Sequence, residues 1–189
     1  MSDPRGAQVR TVAIFGGSFN PPHLGHQALC LMVLEACEVD ALWVVPTYRH
    51  HFGKELVDYR HRVALCRRMV APLGERAEVS EVEGELALPT SRMLDTLLEL
   101  QARHADTQFR LVIGADILDE VEHWYRWPEV AALAPPLVFQ RHGYKGGELP
   151  APPDVSSTAI RMRLAQGKSA VPLVPRDVQR YIDDEGLYR

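Results

Sequence analysis

The segment Ile14–His26, reading IFGGSFNPPHLGH, constrains the fold more than any other part of the chain. A continuous, partly β-branched apolar run over Val9–Phe15 ends in Gly16 and Gly17, which reads as a buried strand closed by a turn. Pro21 and Pro22 stiffen the loop that follows. From Leu24 to Glu38, apolar residues (Leu24, Ala28, Leu31, Leu34) recur at helical spacing.

The alternation continues. Ala41–Pro46, Ala77–Val82, Phe109–Ile113 and Leu137–Phe139 read as strands. Val57–Val70, Ser91–Arg103, Ile117–Trp124 and Pro128–Leu133 read as helices, and Tyr144–Pro153 as a Gly/Pro-rich loop before two more helices, Ser157–Gln166 and Arg176–Asp184. Strands alternating with helices imply a parallel sheet with right-handed crossovers. The expected fold is α/β, with a doubly wound parallel sheet of about five or six strands and a small C-terminal helical extension. With 189 residues, a single domain over 1–189 is expected, with its core over 9–154 and C-terminal helices over 155–189.

Composition excludes several classes. A net charge of -4 argues against a nucleic-acid surface. No apolar run approaches the ~18–20 residues of a membrane helix. The opening MSDPRGAQVR carries no signal-peptide pattern. Three cysteines, Cys30, Cys37 and Cys66, are an odd count without close pairs, against both a disulfide framework and a zinc site. A reducing cytoplasm is the expected compartment, and the sequence leaves homo-oligomer formation open.

In an open parallel sheet, ligands bind beyond the carboxyl ends of the strands. Gly16 and Gly17 stand at such an end and let the backbone approach a ligand. The helix starting near His23–Leu24 is expected to offer free N–H groups to an anion. His23 and His26, three residues apart around Gly25, share one side of its first turn and can donate hydrogen bonds to phosphoryl oxygens. No third ligand lies at zinc spacing. Near the C-terminus, Val155–Arg163 reads VSSTAIRMR, with Ser156 or Ser157 as helix N-cap and Arg161 one turn in, suited to an anion.

GGSFNPPHLGH resembles the HxGH signature of the nucleotidyltransferase superfamily, and SSTAIR is similar to its ISSTxxR motif. The resemblance implies a Rossmann-like fold, with His23 and His26 on the nucleotide's phosphates and the 156–161 motif on the β- and γ-phosphates. Val112–Trp127 (VIGADILDEVEHWYRW), Gln140–Tyr144 (QRHGY) and Leu173–Tyr188 (LVPRDVQRYIDDEGLY) resemble segments of the bacterial nicotinate-nucleotide adenylyltransferase family. That family implies a GxD turn at Gly114 and Asp116 on nucleotide atoms and a tryptophan, Trp124, stacked on the pyridine. A carboxylate suits ribose hydroxyls, and an indole face a flat heterocycle.

The resemblance thus implies His23, His26 and Arg161 as catalytic residues. It implies ATP at Gly16, Gly17, Ser18, Phe19, Gly25, Gly114, Asp116, Arg141, Ser156, Ser157 and Thr158, and the pyridine nucleotide at Asn20, Lys54, Arg92, Met93, Thr96 and Trp124. Two segments depart from the family pattern. PTYRHHFGK (Pro46–Lys54) keeps Lys54 but not the usual PPH, and SRMLDTL (Ser91–Leu97) puts Arg92 and Met93 where Tyr and Thr are usual. Arg92 either pairs with a carboxylate or phosphate or points to solvent.

The implied reaction joins the AMP part of ATP to nicotinate mononucleotide. Mg²⁺ would be held mainly by phosphates and water, so no residue is assigned as a metal ligand. Alternatives are nicotinamide mononucleotide as acceptor, adenylyl or cytidylyl transfer to another phosphate acceptor such as phosphopantetheine, and a catalytically silent nucleotide-binding module.

Overall fold

The computed structural model describes residues 9–49 and 56–189. Five parallel strands, β1 (Arg10–Gly17), β2 (Ala41–Pro46), β3 (Ala77–Val79), β4 (Thr107–Gly114) and β5 (Pro136–Phe139), form one sheet in the order β3-β2-β1-β4-β5. Helices cover both faces, so β1 and β2 are apolar throughout rather than alternating. The side chains still divide with period two. Ala13, Phe15, Leu42 and Val44 join a cluster completed by α1 (Leu24–Ala36), α2 (Tyr59–Val70), α7 (Ser157–Ala165) and α8 (Arg176–Asp184). Val12, Ile14, Trp43 and Leu111 join one completed by α4 (Met93–Arg103) and α6 (Trp127–Leu133). This is the Rossmann-like α/β architecture.

The chain runs outward from β1 through β2 to β3, then returns across the sheet to β4 on the other side of β1. The strand order therefore reverses between β1 and β4, and a crevice opens beyond their carboxyl ends. Gly16, Gly17 and Gly114 close those two strands.

Three expected elements differ. Ala77–Val82 is a strand only to Val79; Val82–Leu86 is a short helix, α3, whose Val82 is buried against α4 rather than in the sheet. An edge strand paired on one side alone supports few residues, and the apolar Val82 was strand-like only by composition. The helix expected from Ser91 starts at Met93, because the Ser91 hydroxyl accepts a hydrogen bond from Arg49 N–H (3.0 Å). Ile117–Trp124 breaks into α5 (Ala115–Leu118) and a 3-10 turn over Val121–His123, leaving Trp124 extended. Cys30 and Cys66 are buried in the core, with Cys37 half-buried beside it. Among the described residues, no helix is long and apolar enough to cross a membrane.

Candidate active site

The loop leaving β1 turns through Phe19, whose φ of 46° is unusual for a bulky side chain. Burial compensates: Phe19 is 2% exposed, its ring edge-on to Phe15 and 5.0 Å from the ring of His26. His26 thus lies against an aromatic floor that the loop itself provides.

His23 is the N-cap of α1, and the two histidines cap one another. His26 N–H donates to His23 Nδ1 (3.3 Å), and His23 N–H donates to His26 Nδ1 (3.2 Å). The rings stack with centroids 3.6 Å apart and planes at 15°. This reciprocal bonding fixes the tautomer. Each Nδ1 accepts an amide hydrogen, so each imidazole carries its own hydrogen on Nε2. Burial, then the Arg141 charge, pushes the pKa of His23 down to about 4, against the opposing pull of Asp154. Burial, then His23 and Arg141, holds that of His26 well below its ordinary value. At neutral pH both rings are neutral Nε2–H donors.

The free amides expected at the start of α1 are partly spent. Leu24 N–H donates to the Leu173 carbonyl (2.9 Å), and His26 N–H goes to His23. The Leu24 and His26 amides are therefore occupied, and the imidazoles themselves bring further N–H donors to this helix end. Gly25 is buried beneath the Pro153 carbonyl, from which a methyl in its place would stand 2.7 Å.

The C-terminal motif meets this loop directly. Ser156 caps α7 by accepting from Ala159 N–H (3.5 Å). Ser157 Oγ donates to the Pro21 carbonyl (2.9 Å). Arg161 Nη1 donates to the Asn20 carbonyl (2.8 Å) and Nη2 to Thr158 Oγ1 (3.2 Å). Segments 141 positions apart in the chain thus form one unit.

A cavity of about 830 Å³ opens beside this unit, a size suited to nucleotide-scale ligands. It collects Gly16, Gly17, Ser18 and His26 from the first motif and Gly114, Asp116 and Arg141 from the β4 and β5 ends. Arg92, Met93 and Trp124 complete the expected residues on its wall. Asp116 Oδ2 accepts from Arg141 Nη1 (2.7 Å), while Oδ1 is buried with no partner in the protein. Gly114 makes room for that carboxylate: a methyl there would stand 2.3 Å from Oδ1.

A family model for cytidylyltransferase-like proteins matches residues 14–163. Over 185 residues the chain is 42% identical to a probable nicotinate-nucleotide adenylyltransferase of Anaeromyxobacter sp. (strain K), covering 95% of this chain and 97% of that one. It is 39% identical to one of Myxococcus xanthus, covering 94% of each. The chain belongs to the nicotinate-nucleotide adenylyltransferases, within the cytidylyltransferase-like family. Its fold also resembles that of a Plasmodium falciparum nicotinic acid mononucleotide adenylyltransferase complexed with NaAD. The TM-score is 0.79 at 17% identity, over 95% of this chain and 97% of that one.

Other expected site residues of this adenylyltransferase lie off the cavity wall. Phe19 and Thr96 are in the core, at 2% and 1% exposure. Asn20 is buried and its Oδ1 accepts from Val57 N–H (3.2 Å). His23, Gly25, Ser156, Ser157, Thr158 and Arg161 sit in the adjoining capped unit. Lys54 lies outside the described residues. Arg92 is exposed, and its guanidinium stacks on Tyr125, 4.2 Å from the ring centroid.

The adenylyltransferase cavity also includes Thr47, Glu83, Ser91 and Tyr125, which motif reading did not single out. Behind them lies Arg62, 1% exposed. A signal for Arg62 existed: it falls on the apolar stripe of α2 with Leu65, Cys66 and Met69. None existed for Glu83, in a segment that resembled the end of a strand.

Proposed function

We propose that this enzyme transfers AMP from ATP to nicotinate mononucleotide, forming deamido-NAD and pyrophosphate. A 5′-phosphate oxygen of the mononucleotide attacks the α-phosphorus in line. The bond from that phosphorus to the bridging oxygen breaks, and pyrophosphate leaves with its electron pair. The attacking oxygen is already ionised at neutral pH, so no general base is required. Catalysis then consists of positioning and charge stabilisation.

His23 and His26 donate from Nε2 to phosphate oxygens, where neutral donors fixed in a buried stack need no reorganisation as charge moves. Arg161 brings a guanidinium to the same polyphosphate from α7. The unpartnered Asp116 Oδ1 suits a ribose hydroxyl. Trp124, half-buried and edge-on to Trp127 at 5.7 Å, offers its face to the pyridine, with Arg92 beside it. Magnesium enters as part of the ATP substrate. Phosphates and water would supply its ligands, as is usual for this hard, reluctantly dehydrated ion. Three unpaired cysteines fit a reducing cytoplasm.

The observation that carries the reading is the reciprocally capped histidine pair joined to Arg161 through the 20–21 backbone. The test is chromatographic detection of the dinucleotide and coupled detection of pyrophosphate. ATP is paired in turn with nicotinate mononucleotide, nicotinamide mononucleotide and phosphopantetheine. Deamido-NAD formed with the highest kcat/KM is the expected result. Preferred turnover of either other acceptor, or ATP binding with no pyrophosphate from any of them, overturns the proposal.

A further inference from the structure

Two buried charged side chains stand at the cavity wall shared by Thr47, Ser91, Arg92 and Met93, Glu83 as part of it and Arg62 behind it, and the reaction above uses neither. Arg62 on α2 gives all its bonds to backbone. Its Nε donates to the Val57 carbonyl (2.9 Å), Nη1 to those of Ser18 (3.0 Å) and Thr47 (2.6 Å), and Nη2 to that of Tyr48 (3.3 Å). Glu83 on α3, 6% exposed, accepts from Tyr48 N–H (2.8 Å) and from the Thr96 hydroxyl (3.3 Å). The peptides flanking Tyr48 are thus held from both sides, the N–H by a carboxylate and the carbonyl by a guanidinium.

This arrangement answers a backbone problem. β2 ends at Pro46; Thr47 N–H still donates to the Gly17 carbonyl of β1 (2.8 Å), but beyond it the backbone of Tyr48 and Arg49 leaves the sheet and needs other partners. The 47–49 backbone is also tied to the start of α4, since Arg49 N–H donates to Ser91 Oγ (3.0 Å) and Ser91 N–H to the Arg49 carbonyl (3.2 Å). Thr96, one turn into α4, fastens the same helix to Glu83. An apolar residue at position 62 would suit the stripe it occupies, and buried charges are weak sources of stability. What they supply is directed, charge-assisted hydrogen bonds, about twice as strong as neutral ones. Burial works against both charges, lowering the pKa of Arg62 and raising that of Glu83, and their mutual attraction and hydrogen bonds oppose it.

We infer that Arg62 and Glu83 are positioning residues for the acceptor nucleotide: gripping Tyr48 from both sides, they fix the 47–49 and 91–93 backbones as one wall of its subsite. The inference rests on the acceptor assignment proposed above. Neither side chain need touch substrate. A displaced wall weakens acceptor binding while leaving the histidine pair and Asp116 in place.

Steady-state kinetics with ATP and nicotinate mononucleotide, alongside thermal melting, test this on the full-length enzyme. Glu83→Gln keeps the shape and loses the charge. It is expected to raise the acceptor KM about tenfold, since small misplacements near a reacting group are costly, while the ATP KM moves less than about twofold. Thr96→Val, a smaller lesion on the same clamp, should shift the same ratio in the same direction, and it carries the test if Glu83→Gln does not fold. Arg62→Lys should recover part of the acceptor affinity lost in Arg62→Met. Both KM values moving alike, or a lowered melting temperature with both unchanged, overturns the inference alone. A wild-type enzyme that does not use nicotinate mononucleotide overturns the acceptor assignment and this inference with it.

Discussion

The two halves of the cavity are built differently. On the proposed phosphate side, the residues named by the motif would themselves be the chemistry: His23 and His26 cap each other within four positions, and α7 is tied on by two hydrogen bonds. On the proposed acceptor side, the wall comes from separate segments around Thr47, Glu83, Ser91–Met93 and Trp124–Tyr125. There, buried side chains hold backbone and the backbone shapes the site. A local motif resists change at every residue. A wall held from behind tolerates new side chains on its face, which suits the departures at Arg92 and Met93.

The sharpest way to break this comparison is to remove one imidazole. His26→Ala is expected to lower kcat by ~100–1000-fold with modest change in either KM, because the lost donor acts mainly in the transition state. An unchanged kcat, measured by pyrophosphate release, would remove His26 from the mechanism and erase the contrast.

Acid separates the halves with opposite signs. Unfolded imidazoles take protons near pH 6.5, but folded His23 does so only near 4, and burial holds the pKa of His26 well below its ordinary value. Between those values the unfolded chain binds more protons, so the histidine contribution is complete above pH 6.5 and lost as pH falls toward 4. Glu83 works the other way: burial raises its pKa, so acid favours its folded form. From pH 7.5 to 5.5, the His23 shift alone should cost about 1 kcal/mol of unfolding free energy. His23→Asn, which keeps a capping oxygen, should flatten that dependence in urea titrations. An equal slope in wild type and variant refutes the assignment.

The smallest effect expected is at Trp124. Trp124→Ala should raise the acceptor KM roughly fivefold, the worth of about 1 kcal/mol of ring stacking, and leave the ATP KM unchanged. A matching rise in the ATP KM would place the indole under adenine instead and redraw the boundary between the halves.

How legible each part was follows from the range of the interactions. The strand–Gly–Gly–Pro–Pro–helix segment and the SST cap use neighbours within a turn or two, so their residue types reveal them. The alternation of apolar strands and helices likewise gave the parallel sheet. The α3 helix was hidden because Val82 faces α4, a contact that no local period encodes. The stacking of Arg92 on Tyr125 joins two segments that adjoin only after folding.

The amino-acid order alone determined where the strands end, which helices begin beside them, and that two imidazoles and a guanidinium belong to motifs chemically suited to an anion. Folding decided which ring nitrogens carry hydrogen, because the tautomer depends on amides that reach Nδ1 only when α1 is capped. It also decided that Arg62 and Glu83 are internal, because burial and partner choice belong to the packed chain, and sequence spacing encodes neither.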